Sequence, residues 1–142
     1  MSIPDAMKRQ VGGGHYVKLP IQPNQFIAAN NWDAFAQNIL KYIVRWRDKN
    51  GLQDLEKALH YSHQRIELRM EAYYPHRDGR RGISMMQFLT ENRIADDMQG
   101  VLLALERWVI GGTVKFRVEF VSALEAYMAL QRDDQQLEIF NQ

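Results

Sequence analysis

Apolar residues recur every three or four positions along most of this chain, a spacing that predicts helices. Phe35, Ile39, Tyr42, Ile43 and Trp46 form one stripe, while Asn38, Lys41, Arg45 and Lys49 recur on another face. Asp33 is positioned to cap this helix, and Asn50-Gly51 to stop it after about Lys49. Gln22-Pro23 reads as the entry to a short preceding helix over 23–30, because proline fits the first helical turn. A third helix is expected from about Leu52 to Tyr73, with Leu52, Leu55, Leu59, Ser62, Ile66, Met70 and Tyr73 buried, before Pro75 and the loop from His76 to Gly82.

The second half repeats the pattern. Ile83 to about Ile110 forms one helix or two, since Thr90-Glu91-Asn92 permits a break, and Met98, Val101, Leu102, Leu105, Trp108 and Val109 supply the stripe. Gly111-Gly112 ends it. A last helix from about Thr113 to Arg132 buries Phe116, Phe120, Val121, Leu124, Tyr127 and Met128, although residues 113–118 alternate enough to keep a short strand as a rival. Residues 133–142 are polar and are expected to fray. Residues 1–20 hold three consecutive glycines and two prolines without apolar periodicity, so they read as an arm. The expected architecture is all-α: a single-domain bundle of four or five helices, with a Gly-rich arm over 1–20, a helical core over 21–74 and C-terminal helices over 83–132.

Composition narrows the function more by exclusion than by indication. A length of 142 residues suits one core, and the absence of cysteine removes disulfides, thiolate nucleophiles and Cys-based zinc sites. The first ten residues lack the apolar core of a signal peptide, and no stretch approaches the roughly 18 apolar residues of a membrane span. A cytoplasmic protein with no membrane partner is expected. The formal charge of +1 argues against general nucleic-acid binding, which needs a concentrated cationic excess.

Local chemistry is confined to a few places. Lys41 and Arg45, one turn apart, can converge on one anion, Arg by paired hydrogen bonds and Lys as a point charge. On spacing alone a solvated helix face is the simpler account of them. Gly12-Gly13-Gly14-His15-Tyr16 can bring backbone N–H groups close to a phosphate, or can simply be a linker. It contains no Gly-x-x-x-x-Gly-Lys-Ser/Thr string and no dinucleotide fingerprint. Asp54 suits the start of the third helix, where it complements the helix dipole or orients a cation from the preceding helix. His60 and His63 lack the His-Glu-x-x-His arrangement, so no metal ligands are assigned. Ser62 lies on the apolar stripe and reads as structural. His76 with Arg77, Arg80 and Arg81 makes a basic loop that can meet phosphate, an acidic partner or water.

The ordered set His15-Tyr16, Ile21-Gln22-Pro23, Phe26-Ile27, Asn30, Asn38, Lys41-Tyr42, Arg45, Lys49-Asn50-Gly51, Asp54-Leu55 and Lys57-Ala58 resembles a small phage family of nucleotide-kinase-like proteins. The resemblance spans about residues 11–71. It implies a nucleotide-binding protein of the infected bacterial host's cytoplasm that phosphorylates deoxynucleoside monophosphates. Lys41 and Arg45 would then act on the transferring phosphoryl group, with His15, Tyr16, Gln22, Asn38, Lys49, Asp54 and Lys57 contacting nucleotide. A nucleoside triphosphate would be the donor, with magnesium as a candidate companion ion. One short basic face is little for two nucleotides, so sharing of sites across a homo-oligomer is expected. A similar Lys-Tyr-x-x-Arg helix occurs in all-α nucleotide pyrophosphohydrolases of the MazG type, whose paired acidic metal motif this chain lacks. Two alternatives stand beside the kinase: a non-catalytic protein that sequesters a nucleotide, and a protein-interaction module.

Overall fold

Six α-helices build the molecule in a computed structural model that describes residues 5–8, 14, 16, 18–70 and 82–141. They are α1 (Pro23–Asn30), α2 (Ala34–Arg45), α3 (Leu52–Glu67), α4 (Met85–Glu91), α5 (Asp96–Gly111) and α6 (Val114–Phe140). Short 3-10 turns occupy Asp5–Lys8 and Trp46–Asp48, and no strand occurs among the described residues. The all-α expectation holds, with six helices in place of four or five. The region read as a rival strand is the first turns of α6, capped by the Thr113 hydroxyl accepting from the Phe116 N–H.

Two hairpins, α2–α3 and α5–α6, pack together through α3 and α6. Short connections at both hairpins leave the chain no room to do other than fold back on itself. Their shared core includes Ile39, Leu40, Ile43, Leu55, Leu102, Leu105, Trp108, Phe120 and Leu124, and Trp108 stacks on Phe120 at 5.5 Å. Trp46 closes one end, its indole N–H donating to the Tyr127 hydroxyl at 3.2 Å. The small helices α1 and α4 cover the core through Phe26, which meets Trp32 edge-on and Phe88 at 5.1 Å.

Two buried asparagines tie the irregular segments to this body. Asn92, between α4 and α5, accepts from the Ile21 N–H at 2.8 Å and donates to the Ile21 carbonyl at 2.7 Å. Asn30, at the end of α1, does the same for Ile83, at 3.0 and 2.8 Å. A Cβ on Gly82 would run into the Asn30 amide oxygen, so a side chain there would have to displace this bracket.

Three boundaries and one buried face differ from the sequence expectation, each for a local reason. The α-helix of α2 ends at Arg45 and tightens into a 3-10 turn, with the Gly51 N–H reaching the Trp46 carbonyl at 2.8 Å. This carries Lys49 off the face that Lys41 and Arg45 share. α3 stops at Glu67 and not near Tyr73: Arg69 turns left-handed (φ 56°), and the Met70 N–H closes on the Arg65 carbonyl. Leu68 and Met70 are exposed there, and Tyr73 lies outside the described residues. α6 continues to Phe140, correcting the expectation of a frayed tail from 133. Residues 133–140 contain no Gly or Pro, and polar residues such as Gln and Glu propagate a helix well.

The fourth difference is in the buried face of α3, which runs through Asp54, Leu55, Ala58, Ser62 and Arg65. Arg65 is fully buried, with its Nε 3.1 Å from the Asp33 carboxylate and its guanidinium over the Trp108 ring at 4.5 Å. Asp33 also caps α2 by accepting from the Ala36 N–H at 2.9 Å. Ser62 is structural as expected, its hydroxyl donating to the Ala58 carbonyl.

Candidate functional site

The end of α2 and the start of α3 hold the densest polar chemistry in the described structure. Gly51 makes this possible by adopting φ 63°, ψ −143°, a conformation essentially reserved for glycine. The turn places Asn50 over the first turn of α3, where its backbone N–H and side-chain amide approach the two Asp54 oxygens at 3.4 and 3.2 Å. Arg45 reaches the same carboxylate with Nε at 3.2 Å and Nη2 at 3.4 Å. Asp54 is fully buried and satisfied on both oxygens, so it is a fixed counter-ion that sets the guanidinium plane. It takes the orienting role foreseen for it.

Tyr16 lies against this pair. Its hydroxyl donates to the Lys41 carbonyl at 3.1 Å. Burial pushes its pKa up to about 12, against the opposing pull of the Arg45 guanidinium. Arg45 itself is held cationic by Asp54, its pKa raised although desolvation opposes it. The guanidinium also sits 4.4 Å from the Tyr42 ring centre, and the Lys57 ammonium lies 5.4 Å from the same ring. Tyr61 stacks on Tyr42 at 5.7 Å.

Beside Arg45 opens a cleft of about 220 Å³, lined by Tyr16, Leu19, Val44, Arg47, Asp48 and the α4–α5 turn from Asn92 to Ala95 with Met98. Three of its lining residues are arginines, Arg45, Arg47 and Arg93, against one acid, Asp48. Arg47 is bound at the rim by Asp97 at 2.6 Å. Arg93 occupies a left-handed conformation (φ 52°) that follows directly on buried Asn92. The bracket that fixes Ile21 therefore also sets the backbone from which Arg93 projects.

The residues singled out in the sequence divide into three groups. Tyr16, Arg45 and Asp54 come together, with Lys57 joined through Tyr42. Lys41 contributes its carbonyl to Tyr16 but does not line the cleft; Asn38 is half-buried on α2, and Lys49 is exposed beyond the 3-10 turn. Gln22 is buried at the start of α1, where its side chain donates to the Met7 carbonyl and its N–H to Gln25 at 2.8 Å. His15, the preceding glycines Gly12 and Gly13, and the basic loop from His76 to Arg81 lie outside the described residues. Sequence reasoning missed Arg47, Asn50, Arg93 and Asn92. Asn50 had a local signal, four residues before Asp54 and next to a glycine; Arg93 had none, since only the folding of α4–α5 onto α2 brings it near.

These features define an all-α protein with an arginine-lined cleft between its two hairpins. Residues 12–63, less than half of the chain, match a family described only as protein of unknown function (DUF3310). The match covers α1, α2 and most of α3, and ends before the turn that carries Arg93. No curated protein and no solved structure matches the chain. Among the described residues, no helix is long and apolar enough to cross a membrane, and no group of three or more His, Asp and Glu side chains is placed to hold a metal ion.

Proposed function

We propose that this protein binds a phosphate-bearing nucleotide in the cleft between the end of α2 and the α4–α5 turn. The observation that carries the reading is the convergence of Arg45, Arg47 and Arg93 on one small cleft, where Asp54 and Asp97 pair with the first two and Asp48 is the one acid in the lining. Guanidinium groups fit phosphate oxygens in paired hydrogen bonds and remain charged at any physiological pH. Arg45 is presented in a fixed plane by Asp54, which lowers the ordering cost of gripping an anion. At about 220 Å³ the cleft is below the roughly 300–1,000 Å³ of pockets that enclose a drug-sized ligand. It accommodates the phosphate and sugar of a nucleoside monophosphate and leaves the base at the rim, beside Tyr16 and Leu19.

Phosphoryl transfer, which the phage-family resemblance implies, asks more of the site. Asp54, the acid closest to Arg45, is committed to that arginine and to Asn50, and the cleft holds one nucleotide, not two. Binding is therefore the primary reading, and a kinase would bring its second nucleotide site from elsewhere, such as another subunit. A thermal-shift series distinguishes these cases, because a ligand that binds the native state raises its apparent stability. Deoxynucleoside monophosphates should raise Tm where the matching nucleosides do not, and Arg93→Ala should abolish the rise while leaving the unliganded Tm within about 2 °C, as expected for an exposed surface residue. No shift with any nucleotide sinks the binding reading. Conversion of a bound monophosphate to a diphosphate on adding a nucleoside triphosphate would establish the kinase, and recovery of the ligand intact would establish sequestration.

A further inference from the structure

Resting on the phosphate-binding reading of the cleft, we infer that Asp97 is its internal competitor: it holds Arg47 on the protein, and a phosphate group takes Arg47 from it. The three arginines of the cleft are held to different degrees. Arg45 is tied through Nε and Nη2 to Asp54, whose side chain has no exposed surface, so that carboxylate cannot leave. Arg93 is exposed and has no carboxylate partner among the described residues. Arg47 lies between these extremes. Its Nη2 donates to Asp97 at 2.6 Å, with 43% and 47% of the two side chains exposed. Such a pair is weak, because water solvates both charges and competes for them.

Three carboxylates, Asp48, Asp54 and Asp97, stand against the three arginines, so an incoming anion gains most where one of them yields. Asp97 is the one placed to do so. Arg47 lines the cleft, whereas Asp97 lies outside it, in the wall of the groove between α5 and α6. Asp97 also stands in the first turn of α5, whose N-cap position, Ala95, supplies no side-chain hydrogen bond. The released carboxylate therefore keeps a favourable place at the positive end of that helix. A phosphate monoester, with a charge of about −1.5 to −2 at pH 7 and three strong acceptor oxygens, offers Arg47 more than the single charge of Asp97 does.

The exchange carries an optical signature. The Arg47 guanidinium sits 5.0 Å from the Trp46 ring centre, so its movement into the cleft removes a cation from the indole.

Calorimetric titration of the full chain with each of the four deoxynucleoside monophosphates tests the exchange. Asp97→Asn should bind about two- to fivefold more tightly than the wild type, the range set by an exposed ion pair, and Arg47→Ala should bind more weakly. Removing a carboxylate near the cleft favours any anion, so the deciding variant combines Arg47→Ala with Asp97→Asn. It should bind as Arg47→Ala does, because Asp97 acts only through Arg47. Inorganic phosphate should change the tryptophan emission of the wild type and leave that of Arg47→Ala unmoved. A wild type that binds as tightly as Asp97→Asn, or more tightly, overturns the competition and leaves the cleft reading standing. So does a gain from Asp97→Asn that persists in full without Arg47, or an emission change equally large in Arg47→Ala. Absence of binding by both the wild type and Asp97→Asn overturns the cleft reading together with the competition.

Discussion

At the scale of single residues, the molecule treats its two buried arginine–carboxylate pairs differently. Arg65 has no exposed surface and lies between Asp33 and the Trp108 ring, so its charge serves the core. The Arg45 side chain keeps 16% of its surface at the edge of a cleft, so its charge is available outside the protein. Neither difference is visible in the sequence, where Arg45 looks significant for its spacing from Lys41 and Arg65 looks like solvated polar surface. Tyr16 offers a direct probe of the cleft. Its folded-state pKa of about 12 exceeds the ordinary 10.0, so between those values the folded chain keeps a proton that the unfolded chain has lost. Stability drawn from this group is complete below about pH 10 and is lost as pH rises through about 12. Ultraviolet titration of the six phenols should show Tyr16 ionising near pH 12, with Tyr127 also raised above the ordinary value by burial, and Tyr16→Phe should remove the step near pH 12 and lessen the alkaline loss of stability. An unchanged titration in the variant would show that Tyr16 is not buried against Arg45.

At the scale of elements, periodicity located the helices and failed where their ends depend on something other than periodicity. The stripe of α5 was legible in full, because Met98, Val101, Leu102, Leu105, Trp108 and Val109 are all buried. The stripe of α3 was legible only in part, because two of its buried positions, Asp54 and Arg65, are charged residues whose partners come from other segments. Half of the candidate site was legible for a related reason. Tyr16, Arg45 and Asp54 lie within one ordered signature, whereas Arg93 depends on a bracket between positions 21 and 92. That bracket is also a point of failure for the fold. Asn92→Ala would leave both the N–H and the carbonyl of Ile21 without their partners in a buried setting, at about 1–3 kcal/mol for each such group. A loss of about 2–4 kcal/mol in denaturant unfolding is expected, with a weakened nucleotide response because the Arg93 turn is no longer held. A loss below about 0.5 kcal/mol, the scale of a surface substitution, would mean that the bracket is not made in solution.

At the scale of the whole molecule, the cleft and the end of α6 lie on different surfaces and bear on stability differently. The cleft joins the hairpins near the α4–α5 turn, so a ligand there stabilises each subunit. The end of α6 buries no residue beyond Met128 and meets its own subunit at the surface, where Arg132 lies 3.8 Å from Glu56 of α3, so any stability it confers comes from such surface contacts or from association. Mass action separates these contributions, because a dimer's Tm depends on protein concentration and a folded monomer's does not. A chain ending at residue 131 retains Phe120, Leu124, Tyr127 and Met128, the buried residues of α6. It should melt close to the full chain and should keep its shift with a deoxynucleoside monophosphate. Collapse of the shortened chain even at low concentration would assign the end of α6 to the fold of one subunit. A Tm of the full chain that depends on protein concentration, with the dependence lost on truncation, would instead assign the end of α6 to association.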